Sequence, residues 1–67
     1  MSVARVTELI ASSKKSFEDA TQKGVERAAK TLKNVQNAWV QDMKCTVKDG
    51  KIDEYRVILK VTFVLED

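Results

Sequence analysis

The sequence predicts an α+β fold of order β-α-β-β, and three observations carry that prediction. The C-terminal stretch Lys51 to Glu66 places Tyr55, Val57, Leu59, Val61, Phe63 and Leu65 at every second position, the period of a pleated strand. Asp49-Gly50 is a hairpin turn signal of the kind that needs positive φ, and it joins that strand to an equally long one before it. Between the N-terminal strand and this hairpin, Phe17, Ala20, Thr21, Gly24, Val25, Ala28, Ala29 and Leu32 recur at three- and four-residue steps, the stripe of a helix lying against a sheet.

Taken in order, Val3 to Ser12 reads as the first strand, with Val6 and Ile10 on one face and Thr7, Leu9 and Ala11 on the other, although Glu8 and Leu9 suit a helix equally well. A polar break, Ser12 to Lys15, follows. Ser16 then offers an N-cap hydroxyl with Asp19 three residues on, Ser13 being the competing cap, and Glu18 and Asp19 place negative charge where the helix dipole favours it. The helix is expected to end near Lys33. Gly24 and the alanines thin its stripe in the middle, which lets helix and sheet approach closely at a propensity cost of about 1 kcal/mol for the glycine.

Gln36 to Lys48 is the second strand, with Met43, Cys45 and Val47 facing one way and Asp42, Lys44, Thr46 and Lys48 the other. The hairpin ribbon it forms with the third strand is over about 40 Å long at ~3.4 Å per residue. The helix reaches only about 25 Å, so the ribbon is expected to overhang it. The third strand is also apolar on its second face, where Ile52, Ile58 and Val64 are interleaved with Glu54, Arg56, Lys60, Thr62 and Glu66. One helix covers one face, so Ile52, Ile58 and Val64 are expected at an interface with another subunit.

Size strengthens that expectation. A chain of 67 residues, read as one domain over residues 1–67, buries only about 60% of its unfolded surface. Disulfides, a structural metal or oligomerisation usually supply the rest. Cys45 is the only cysteine and there is no histidine, so an internal disulfide and a structural zinc site are both excluded. Self-association is the remaining source.

Composition limits function. The 12 lysines and arginines are scattered among 10 acidic residues, a solvated surface with none of the concentrated basic stripe of a nucleic-acid binder. No apolar run approaches the ~18 residues of a membrane span, and the N-terminus carries no signal-peptide core. No nucleic-acid or membrane partner is therefore expected. A free thiol without a secretion signal points to the cytoplasm. Catalysis has little to stand on: Cys45 has no histidine base and is expected buried beside Met43 and Val47, and there is no Gly-rich phosphate loop.

Several strings together resemble the dodecin family: the first strand's Glu8-Leu9-Ile10-Ala11-Ser12-Ser13, the helix's Val25-Glu26-Arg27-Ala28-Ala29-Lys30-Thr31-Leu32, and the run Glu54-Tyr55-Arg56-Val57-Ile58-Leu59-Lys60-Val61-Thr62-Phe63-Val64-Leu65-Glu66. The resemblance covers essentially the whole chain. It implies a three-stranded antiparallel sheet wrapped around one helix, a homo-oligomer of the hollow dodecameric type, and a non-enzymatic role in binding or storing a small ligand, flavins being the ligand for which the family is known. In flavin-binding members a tryptophan early in the second strand stacks on the flavin ring, and a glutamine after the third strand's tyrosine bonds its polar edge. Carried onto this chain, those positions hold Asn37 and Arg56.

Trp39 lies two residues past the expected tryptophan, on the same face as Asn37 by the strand period. A two-residue displacement moves the ring by nearly 7 Å. Trp39 is thus either a stacking platform in a reshaped pocket or an interface anchor. Arg56 either grips a phosphate or carboxylate or pairs with an acid across a subunit boundary. The arginine after the tyrosine resembles a subgroup that includes calcium dodecins. Calcium needs six to eight oxygens, for which Asp42, Asp53 and Glu54 are the candidates, in a site assembled between strands or subunits. Three functions follow from the resemblance: a dodecin-like ligand or ion store with an altered or absent flavin site, a flavin binder that uses Trp39, or a shell-forming module without a ligand. The cofactor is accordingly a flavin, Ca2+ or none.

Overall fold

The computed structural model describes residues 2–66 and has the order β1 (Ala4–Ser13), α1 (Phe17–Thr31), β2 (Val35–Lys48), β3 (Lys51–Val64). All pairings are antiparallel and the sheet order is β1-β3-β2, so the two-faced strand β3 lies in the centre. β1 pairs with β3 without interruption, from Ala4 opposite Val64 to Ser13 opposite Tyr55. The turn after β2 has Asp49 at φ 53° and Gly50 at φ 75°, both in the left-handed region, as a two-residue primed hairpin requires.

α1 begins where expected. The extended Ser16 is the cap, its Oγ accepting a hydrogen bond from the Asp19 N–H at 2.9 Å. Ser13 plays a different part. Its Oγ donates to Asp19 Oδ2 at 2.6 Å and accepts from the Lys15 N–H at 2.9 Å, tying the end of β1 to the first turn of α1. Asp19 also pairs with Lys23 one turn on. The Ser13 hydrogen bond, with Lys23 assisting against partial desolvation, holds the Asp19 carboxyl below its ordinary range. The helix ends at Thr31, two residues earlier than the stripe suggests, with Leu32 closing it by a bond from its N–H to the Ala28 carbonyl. Asn34, at φ 61°, then turns the chain into β2.

The core is small and lies between α1 and the inner face of β3. Ala20 and Ala28 of the helix meet Val57, Leu59 and Val61, and Leu9, Ala11, Phe17, Leu32, Val35 and Ala38 pack round them. Val57, Leu59 and Val61 are each 0% exposed, and burying each contributes roughly 1.5–3 kcal/mol. Gly24 permits the close approach: a methyl group there would stand 2.5 Å from Leu59 Cδ1 and 3.1 Å from Ala11 Cβ. Phe17 meets Tyr55 edge-on, with centroids 5.1 Å apart.

The overhang is present. The Cα envelope measures 51 × 19 × 13 Å and the radius of gyration is 13.8 Å, against about 11 Å for a compact domain of this length. β1 stops opposite Tyr55, and beyond that point β2 and β3 continue alone to the Asp49-Gly50 turn. α1 packs chiefly on β1 and β3 and reaches β2 least.

Several sequence-based expectations need correction. The third strand ends at Val64, leaving Leu65 and Glu66 outside it. Cys45 is exposed rather than buried, because the helix does not extend over that part of β2. Three register shifts break strict alternation. Gln36 and Gln41 are extra residues in β2, so Trp39 and Met43, four apart, lie on opposite faces. Asp53 is the extra residue in β3, so Ile52 pairs with Val47 and no longer follows the period of Ile58 and Val64.

Candidate functional site

The outer face of the sheet, opposite α1, is built from rows of residues paired across the three strands. From one end they run Val6-Thr62-Asn37, Glu8-Lys60-Trp39, Ile10-Ile58-Asp42 and Ser12-Arg56-Lys44, followed by Glu54-Thr46. Alternation along β1 and β3 and the bulge at Gln41 in β2 place these side chains together. The face carries a large apolar surface: Ile10 is 61% exposed, Val6 50% and Trp39 47%, with Ile58 and Val64 half-buried beside them. Isolated apolar side chains on a surface are ordinary, but a contiguous patch marks an interaction site.

Asn37, Trp39 and Arg56 therefore share one face, as their spacing suggests. They do not form one pocket within the chain. Trp39 stands opposite Lys60 and Arg56 opposite Lys44, four residues apart on β3, or about 13 Å. Arg56 is held in place: its Nε donates to Ser12 Oγ at 3.1 Å, and its Nη2 meets Glu54 Oε1 at 3.2 Å. Its acidic partner belongs to its own chain. These contacts use one edge of the guanidinium and aim a planar cation along the sheet, a group suited to carboxylate or phosphate.

The three candidate metal ligands are dispersed. Asp42 Oδ1 accepts from the Met43 N–H at 2.9 Å, Asp53 pairs with Lys14 at 3.4 Å, and Glu54 pairs with Arg56 while its N–H donates to Thr46 Oγ1. Among the described residues no three acidic, histidine or cysteine side chains gather in a way that could hold a metal ion. A calcium shell of six or more oxygens is thus not completed by one copy.

A second surface was not apparent from the sequence. A groove of about 540 Å³ runs between β1 and α1, lined on one side by Thr7 to Ser12 and on the other by Lys23, Gly24, Arg27 and Ala28, with Thr31 and Leu32 at its end. Consecutive β1 residues of both faces line it, so it follows the free edge of that strand. The only sequence signal for it was the thin Gly24–Ala28 stripe.

Comparison with known proteins agrees with this architecture. The dodecin family model matches residues 3–66. The chain belongs to the dodecin family. A dodecin of Thermus thermophilus is 34% identical over 65 residues, covering 97% of this chain and 94% of that protein. The structure of a dodecin from Streptomyces davaonensis superposes with a TM-score of 0.93 at 30% identity, covering 98% and 97% of the two chains. The Mycobacterium tuberculosis calcium dodecin, described as a calcium-chelating antigen with a novel calcium-binding site, superposes with a TM-score of 0.84 at 32% identity over 96% and 91% of the chains. Against these dodecins the fold is unambiguous. Among the described residues no helix is long and apolar enough to cross a membrane.

Proposed function

We propose that this dodecin is a non-enzymatic, self-associating protein that binds or stores a small ligand or ion, with its flavin site altered or absent. The observation that carries this reading is the outer face itself. It holds Arg56 fixed by Ser12 and Glu54 where a neutral amide would meet a flavin edge, and Asn37 where an aromatic would stack.

Self-association through this face, with Ile58 and Val64 contributing, is supported by area. Three strands about 4.8 Å apart and some 34 Å long span roughly 500 Å², so two copies face to face bury about 1,000 Å², the threshold of a specific interface. Because Trp39 and Arg56 are about 13 Å apart in one chain, a ligand that touches both needs a second copy. The same holds for an ion at Asp42, Asp53 or Glu54. The exposed thiol of Cys45 suits a reducing, cytoplasmic setting.

The exposure of Trp39 favours one rival reading, a flavin held on that ring in a reshaped pocket. Titration with riboflavin and with FMN, followed by flavin fluorescence, separates the two. No saturable quenching at micromolar protein is expected, whereas saturable quenching abolished by Trp39→Ala would establish the rival. Native mass spectrometry with added Ca2+ tests the ion: a calcium adduct lost in Asp42→Asn supports a bound ion, and an unchanged mass argues for a shell without one.

A further inference from the structure

The groove between β1 and α1 plays no part in the outer-face reading, and its floor and rim differ in kind. The floor is apolar. Gly24 and Ala28 are buried but have almost no side chain with which to fill the space, so Leu9 and Ala11 of the strand and Leu32 at the helix end stay only half-buried. The helix-side rim is cationic, with Lys23 and Arg27 one turn apart. Lys23 is already engaged by Asp19 at 3.3 Å. Among the described residues Arg27 has no ion-pair partner. The one acid on the strand side, Glu8, is drawn to the outer face, where it meets Lys60 at 3.9 Å. An apolar strip thus runs beside one unmatched guanidinium, with no carboxylate of the chain to neutralise it.

We propose that this groove is a second binding site, which takes an unbranched alkyl chain ending in a carboxylate, with the head group on Arg27 and the chain laid along Leu9 and Ala28 toward Leu32. Its volume of about 540 Å³ lies in the range of small-molecule sites. The helix segment that borders it, Lys23 to Leu32, is about 14 Å long, and a strip between one strand and one helix suits a chain better than a ring system. Charge selects the head group. The planar fork of an arginine matches a carboxylate, and a single unmatched cation balances a monoanion, whereas a phosphate monoester would bring a second charge without a partner. The site lies on the helix side of the sheet, away from Trp39 and the Arg56 guanidinium, so it stands or falls independently of the outer-face reading.

Isothermal titration of the full chain with decanoate, below its micelle concentration, tests the site. One decanoate per protomer is expected, bound about tenfold more tightly than hexanoate because part of each extra methylene leaves water. Arg27→Gln, at an exposed position, should keep the wild-type far-UV circular dichroism and weaken decanoate about tenfold, the loss of one charge-assisted hydrogen bond. Decyltrimethylammonium, with the same chain and the opposite charge, should not compete. The proposal is overturned if decanoate shows no saturable binding, if Arg27→Gln binds it as tightly as the wild type, or if decyltrimethylammonium displaces it. A loss of affinity in Arg56→Gln in place of Arg27→Gln would put the ligand on the outer face and equally overturn it.

Discussion

The two sides of β3 receive alternate residues of one strand and meet opposite fates. On the inner side Val57, Leu59 and Val61 are completely buried by a helix of 15 residues. On the outer side Ile58 and Val64 are half-buried, and their neighbours Ile10 and Val6 lie open. The inner side is satisfied within one chain; the outer side is not. A single short helix has enough apolar surface for one face of two strands, and the outer face and the inner half of β2 are left uncovered in the protomer. Stability of the protomer and formation of the assembly therefore reside in different residues, and substitutions should separate them.

The largest effect on the inner side is expected from Leu59→Ala. Removing a fully buried leucine typically costs 2–5 kcal/mol, enough to unfold a marginal protomer, and urea denaturation would show a lower midpoint with little change in slope. Gly24→Ala comes next. The alanine gains about 1 kcal/mol of helix propensity, but its methyl would stand 2.5 Å from Cδ1 of the fully buried Leu59 and 3.1 Å from Ala11 Cβ. Overpacking of this kind costs about 1–3 kcal/mol, so net destabilisation is expected; a raised melting temperature would mean that α1 can lift from the sheet. Ser16→Ala removes the cap and should cost ~1 kcal/mol without altering oligomer mass.

The smallest effect concerns pH. The Asp19 carboxylate is stabilised by the Ser13 hydroxyl first and by Lys23, which lowers its folded-state pKa below the unfolded value. Its contribution is fully present above the ordinary carboxylate range and is lost as pH falls through the lowered folded value. Replacing Ser13 with alanine should accordingly narrow the difference in urea midpoint between pH 7 and pH 3; an unchanged difference would show that Asp19 contributes nothing to the acid sensitivity of the fold.

How much of this was legible depended on whether the information was local. The inner stripe of β3 follows a strict period of two, and Ala20, Gly24 and Ala28, all buried, follow the helical period, so both faces could be read directly. The Ser16 cap and the Asp49-Gly50 turn are likewise set by their own residues. The three register shifts were not legible. Gln36, Gln41 and Asp53 are ordinary polar residues, and a bulge depends on what the partner strand does. Hence Ile52 could not be placed, and the separation of Trp39 from Met43 was hidden. The exposure of Cys45 was missed for a related reason, since its neighbours are apolar but α1 leans toward β1. The candidate site was legible as a set of residues sharing a face, and illegible as a pocket, because the distance from Trp39 to Arg56 cannot be closed within one chain.

The central claim is that the outer face of the sheet is buried between copies. Native mass spectrometry of wild-type protein beside Ile58→Asp tests it most directly, because Ile58 lies at the centre of that face and away from the α1 core. A large homo-oligomer is predicted for the wild type and, for the variant, a smaller species whose far-UV circular dichroism remains that of the folded protomer. An Ile58→Asp protein that keeps the full wild-type mass would contradict the claim.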